Sequence, residues 1–115
     1  MYQDNATLVD IAKAPRLALS FTRGISQAAF AKDIKTQSAV LHQLLVLGEA
    51  VKRLSPAFRD KHPDLSWADM AGMRDKLIHA YDNVDLDEVW RTVRLDVPQL
   101  LQFIDPLLPK EPKHD

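Results

Sequence analysis

Residues 35–54 read KTQSAVLHQLLVLGEAVKRL, and this stretch decides the fold class. Val40, Leu44, Leu47, Val51 and Leu54 recur at spacings of four and three, which places them in one stripe along an α-helix. Leu41, Leu45 and Gly48 widen that stripe. A glycine inside a helix costs about 1 kcal/mol against alanine, so Gly48 implies the close approach of another helix or of a ligand. Ser or Asp residues stand where several neighbouring helices should begin, and no period-two stretch rich in β-branched and aromatic residues interrupts the pattern.

Working outward, the N-terminal side predicts a first helix from about Ala6 to Thr22, with Leu8, Ile11, Leu17, Ala18 and Phe21 facing the core. Pro15 should bend or split it. Gly24 reads as its stop. Ser26 should cap a short helix over 27–33 that buries Phe30. On the C-terminal side, Ser55-Pro56 ends the long helix and starts a short one reaching about Lys61. His62 to Leu65 forms a linker. Ser66 should cap a helix that begins at Trp67 and ends near Asp82-Asn83, with Asp69 in a variant of the capping box and Met70, Met73, Leu77, Ile78 and Tyr81 along it. Asp85, with Glu88 three residues on, should cap the last long helix, whose apolar face is Val89, Trp90, Val93, Val97, Leu100, Leu101 and Ile104. Pro98 should kink it. Trp67 and Trp90 read as core residues rather than platforms for bases. The expected fold is all-α: one up-and-down bundle of four main helices and one or two short ones, over residues 1–105, followed by a frayed tail over 106–115.

Bulk composition narrows the function. At 115 residues the chain is one ordinary domain, 46% hydrophobic and 27% charged, which is globular rather than disordered. With no cysteine it offers no thiol nucleophile, disulfide or Cys-based zinc site. No secretory signal or membrane span is legible, so a cytoplasmic location is expected, with no membrane. The formal net charge is −1. A protein that grips long nucleic acid by its backbone carries a basic surplus. Any RNA contact here must therefore be local, and a protein partner is the other reading.

The densest chemistry is Arg74-Asp75-Lys76-Leu77-Ile78-His79-Ala80-Tyr81. Arg74 and His79 are five residues apart, about 140° of rotation and roughly 7.5 Å of rise on a helix, so they do not share a face. The arginine could curl round the helix, or a second copy of the helix could bring the two groups together. Asp75 faces His79 across one turn and can fix the imidazole's tautomer. Tyr81 shares a face with Arg74. RNA carries its own nucleophile, the 2′-hydroxyl. Its cleavage needs a proton acceptor, a proton donor and positive charge on the phosphorane-like transition state. Histidine serves the proton transfers, and the forked guanidinium suits phosphate. No metal and no cofactor is required, and His42, His62 and His114 are scattered. A lone Arg or His on a helix is most often only solvated, and Asp75–His79 could be a simple surface pair. The combination is what gives the segment weight.

These residues resemble the Arg-x4-6-His motif of the HEPN nucleases, and the added Tyr81 makes the segment similar to the HepT branch of toxin–antitoxin systems. Leu47-Gly48-Glu49-Ala50 resembles the Gly-Glu-Ala segment of that family. Pro63-Asp64-Leu65-Ser66-Trp67 looks like its Pro-x-hydrophobic-x-Trp lead-in, and Val84-Asp85 and Val89-Trp90 also fit. Asp75 is a departure, because the family more often carries Asn there. The resemblance implies a HEPN-like homodimer whose motif helices face each other across a cleft, each copy adding Arg74 and His79 to a metal-independent endoribonuclease site. Asp75, and Glu49 from the neighbouring helix, would support it. A toxin role is implied, together with a minimal nucleotidyltransferase antitoxin of the MntA type that transfers AMP onto Tyr81. The competing expectation is a non-catalytic HEPN protein that binds nucleotide or serves as partner to a nucleotidyltransferase.

Overall fold

A computed structural model describes residues 2–64, 67, 70 and 85–108. Every regular element among them is helical. In chain order they are α1 (Tyr2–Thr22), α2 (Gln27–Lys32), α3 (Ile34–Lys52), α4 (Pro56–Lys61), α5 (Leu86–Arg91), a π-helical turn (Thr92–Asp96), α6 (Val97–Ile104) and a 3-10 turn (Asp105–Leu107). The all-α expectation holds. Of the helix expected from Trp67 to near Asp82-Asn83, only Trp67 and Met70 are described, and both are helical. Its cap Ser66 and its apolar positions Met73, Leu77 and Ile78 lie outside the described residues.

The helix ends are set by local chemistry. Ser26 Oγ accepts the Ala29 N–H at 3.1 Å, Ser55 Oγ accepts the Phe58 N–H at 3.1 Å, and Asp85 Oδ1 accepts from the Asp87 and Glu88 N–H groups at 3.0 and 3.2 Å. Asp33 caps α3 through the Thr36 N–H at 3.1 Å. Each oxygen satisfies an N–H that the first helical turn leaves without an intrahelical partner. After α1 the chain reverses at Gly24, whose φ of +78° lies in the left-handed region that favours glycine.

The principal packing is α1 along α3, and α6 returns to lie against α1. The whole predicted stripe of the long helix is buried, from Val40 to Leu54, with Gly48 buried beside it. Across from it are Leu8, Ile11, Ala12, Ala14 and Ala18 of α1. The alanines let the two backbones approach closely, and each fully buried Leu or Ile contributes roughly 1.5–3 kcal/mol. α2 bridges α3 and α5, inserting the fully buried Phe30.

Two expectations need correction. Pro15 does not split the first helix, which runs unbroken from Tyr2 to Thr22. An interior proline forfeits one hydrogen bond and crowds the preceding turn, at about 3 kcal/mol. Here the ring is fully buried, and the apolar contacts of that face offset the loss. Phe21 is not a core residue: it is 37% exposed, while Thr22 beside it is fully buried and donates its hydroxyl to the Leu19 carbonyl at 3.1 Å. Leu17 is only half-buried.

Pro98 leaves its mark differently. The π-helical turn stands immediately before α6, and within it the Val97 N–H reaches back five residues to the Thr92 carbonyl. A proline has no N–H for the carbonyl four residues earlier, and widening the turn relieves the ring's clash there. Val93, Val97, Leu100 and Ile104 are buried on either side of this irregularity. Asp105–Leu107 then closes a 3-10 turn, and Leu107 and Leu108 rest on the core. Residues 109–115 of the expected tail lie outside the described residues.

Candidate functional site

Of the residues singled out for chemistry, Glu49 is described. It lies on α3, half-buried, nine residues after Val40, so the helical repeat turns it about 180° from the buried stripe. Arg74, Asp75, Lys76, His79 and Tyr81 lie outside the described residues. The structure therefore supplies the frame at the two ends of their segment.

The upstream end is an aromatic corner. The His62 ring lies 4.6 Å from Phe58 and 5.9 Å from Phe103, centroid to centroid. Trp67 stands 6.2 Å from both Phe58 and Phe103, with interplanar angles of 66° and 75°. These are edge-to-face geometries, in which the positive ring edge meets the negative face. Trp67 is buried, and its indole N–H donates to the His62 carbonyl at 2.7 Å. The expectation of a core role for Trp67 holds.

The corner is tied to α1 as well. Asp4, buried in the first turn of α1, accepts the Ser55 N–H at 3.0 Å and the Ser55 hydroxyl at 2.7 Å. Ser55 in turn caps α4, whose last residue precedes His62. These hydrogen bonds from Ser55 hold the Asp4 carboxyl below its ordinary value, against an opposing effect of burial.

The downstream end rests on α2. Asp85 caps α5, Gln27 donates to Asp87 Oδ1 at 2.9 Å, and the Phe30 and Trp90 rings lie 5.3 Å apart. Arg94 sits over the Trp90 ring at 5.6 Å, a cation–π contact on its half-buried face. Residues 71–84 are thus bounded by two packed anchors, one on α4 and α6 and one on α2.

Sequence reasoning missed the Asp4–Ser55 pair and the part played by Phe58, His62 and Phe103. Ser55 carried a signal as a cap, but its second partner is 51 residues away. Elsewhere, a groove of about 270 Å³ between α1 and α3 is lined by Asp10, Lys13, Ala14, Leu17, Gln43 and Val46. Among the described residues no three His, Asp or Glu side chains gather as a metal site. No described helix is long and apolar enough to cross a membrane.

The helical bundle of the described residues, in a chain whose sequence also carries the Arg74–Tyr81 segment, is an all-α fold of the HEPN kind. Residues 11–107 match the ribonuclease HepT-like family, a span that includes the whole Arg74–Tyr81 segment, and the chain belongs to that family. It is 48% identical over 93 residues to a probable ribonuclease HepT of Thermococcus cleftensis, covering 81% of this chain and 84% of that protein. It is 42% identical over 89 residues to a putative RNase of Caldanaerobacter subterraneus, covering 77% and 80%. A putative RNase of Methanocaldococcus jannaschii is 39% identical over 103 residues, covering 90% and 85%. No solved structure matches the chain.

Proposed function

We propose that this protein is a metal-independent endoribonuclease of the toxin type whose reacting groups are Arg74 and His79. As a member of the ribonuclease HepT-like family it is a ribonuclease. The finer reading is supported by one observation above all: Arg74, His79 and Tyr81 stand intact, at the motif's spacing, inside the matched span.

In this reading the RNA 2′-hydroxyl attacks the adjacent phosphorus. A base takes its proton, the bond from phosphorus to the 5′-oxygen breaks, and an acid protonates that leaving oxygen. The products are a 2′,3′-cyclic phosphate and a 5′-hydroxyl end. His79 supplies the proton transfers, each worth about 10²- to 10⁴-fold. Arg74 binds the phosphate and stabilises the transition-state charge, a role whose removal costs about 3–4 kcal/mol. Asp75 orients His79, and Glu49 supports the site from α3. Because Arg74 and His79 diverge by about 140° on a helix, the site is completed by a second copy of the chain. Two imidazoles in one cleft can then divide the acid and base roles.

Control falls to Tyr81. A nucleotidyltransferase of the MntA type would attach AMP to its phenolic oxygen with release of pyrophosphate from ATP, placing phosphate charge beside Arg74 and repelling RNA. The test has two parts. Wild-type protein should cleave RNA in EDTA and leave cyclic phosphate ends, while Arg74→Ala and His79→Ala should not. Incubation with the nucleotidyltransferase and ATP should raise the intact mass of wild type by AMP units and leave Tyr81→Phe unchanged. Cleavage by His79→Ala at the wild-type rate removes the catalytic half, and an unchanged wild-type mass removes the regulatory half.

The net charge of −1 favours one alternative, a non-catalytic partner of a nucleotidyltransferase. It predicts no cyclic phosphate ends under any condition.

A further inference from the structure

We infer that the outer face of α1 docks a second copy of this chain, the two α1 helices running antiparallel with Asp10 of each against Lys13 of the other. The inference is independent of the ribonuclease reading and uses none of the residues assigned to it.

Ala6, Asp10, Lys13 and Leu17 follow one another at intervals of four, three and four residues, so they share one face of α1. The intervals are the same read from either end. A two-fold axis level with the midpoint of Ile11 and Ala12 therefore brings a second α1 into register with the first. Asp10 then meets the partner's Lys13, and Lys13 meets the partner's Asp10. Ala6 meets the partner's Leu17, and Leu17 meets the partner's Ala6. Opposite charges face one another twice, and a small side chain faces a large one twice. A two-fold contact presents the same patch from both copies, so the patch must be its own complement in charge and in size. This one is.

The structure leaves the face open. Ala6, Asp10 and Lys13 are exposed and Leu17 is half-buried. Lys13 makes no ion pair among the described residues. Asp10 meets Arg53 through Oδ2 at 3.1 Å, and Oδ1 remains for a second cation. Val9, 47% exposed, flanks the face where the aliphatic stem of the partner's Lys13 can cover it. Beside the same residues runs the groove of about 270 Å³, lined by Asp10, Lys13, Ala14 and Leu17 with Gln43 and Val46 of α3. It gives an incoming helix a recess rather than a flat wall. Alternating intervals of three and four suit helices crossing at about 20°, with axes about 8–10 Å apart. One helix pair is a small interface, of the class that associates weakly, so assembly should depend on protein concentration.

Sedimentation of charge variants at low salt tests this contact. Lys13→Asp gathers four carboxylates around the axis, and Asp10→Lys gathers four ammonium groups. Each variant alone should show half the mass of wild type at the same concentration, up to about 1 mM. An equimolar mixture of the two should regain the wild-type mass, because every Asp of one copy then faces a Lys of the other. Ala6→Trp, at an exposed position facing the partner's Leu17, should also halve the mass. Arg53→Ala removes the ion pair between α1 and α3 but leaves the face, and should sediment as wild type. The ratio reads the α1 contact whether or not the chain also pairs elsewhere: a dimer falls to monomers, or a dimer of dimers to dimers. RNA cleavage is not the readout, so a failure of the ribonuclease reading leaves the result intact. Wild type that stays monomeric over this range, charge variants with the wild-type mass, or a mixture no heavier than its components would overturn the inference.

Discussion

The α1–α3 pair and the corner around Trp67 bury comparable kinds of residue but are held by different forces. Between α1 and α3 the contact is aliphatic: Leu8, Ile11 and three alanines against Val40, Leu44, Leu47 and Val51. Such packing is non-directional, scaling with the area removed from water. At the corner, four rings meet in four contacts, three of them edge to face, and an indole N–H and a buried carboxylate each reach one defined partner. The first region makes the domain stable. The second holds one particular position by directional contacts, and it precedes in sequence the segment proposed to carry the chemistry.

That contrast can be broken experimentally. The largest effect belongs to neither region: Arg74→Ala or His79→Ala should lower RNA cleavage by about 10²- to 10⁴-fold with no fall in Tm, checked by end-labelled RNA and thermal unfolding. In the aliphatic region, Leu44→Ala should cost about 2–5 kcal/mol in denaturant unfolding, yet leave activity per folded molecule unchanged. A matching loss of specific activity would erase the distinction between the regions.

Smaller effects test the corner's polar ties. Ser55→Ala removes the α4 cap and should cost about 1 kcal/mol. Asp4 gives the same tie a pH dependence. Its folded carboxyl titrates below the ordinary value of 3.8, so its stabilising contribution is complete above that value. It is lost as pH falls from there through the lowered one. Asp4→Asn should therefore be less stable than wild type at neutral pH, and the gap should close in acid, as equilibrium unfolding across pH would read. A gap that stays constant down to pH about 2 would exclude this linkage. The smallest effect is expected for the exposed Arg53–Asp10 pair at 3.1 Å, which joins α3 to α1. Arg53→Ala should change stability by less than about 1 kcal/mol, and less again in high salt.

The features legible beforehand were those whose cause is local. The α3 stripe was readable because a helix repeats every 3.6 residues. Ser26, Ser55 and Asp85 were readable as caps because each bonds an N–H two or three residues on. Pro15 was legible only in part: a bend or a split was expected, and the helix does not split. Its cost is local, but the burial that offsets it comes from helices far along the chain. Pro98 lay between these cases, its position legible and its answer, a π-helical turn, set by how the surrounding apolar residues seat.

By itself, then, the amino-acid order determined an all-α fold, the boundaries of most described helices within a few residues, and a resemblance, carried by the Arg74–Tyr81 segment, to the HepT-like ribonucleases, the family the chain belongs to. Only tertiary structure could decide that Asp4 holds Ser55, that Arg16 pairs with Asp105, or that Phe103 closes over His62 and Trp67. Those partners lie tens of residues apart, so no periodicity or spacing connects them. They meet because burying the aliphatic stripes leaves the helices one compact arrangement, and the polar and aromatic ties select the details within it.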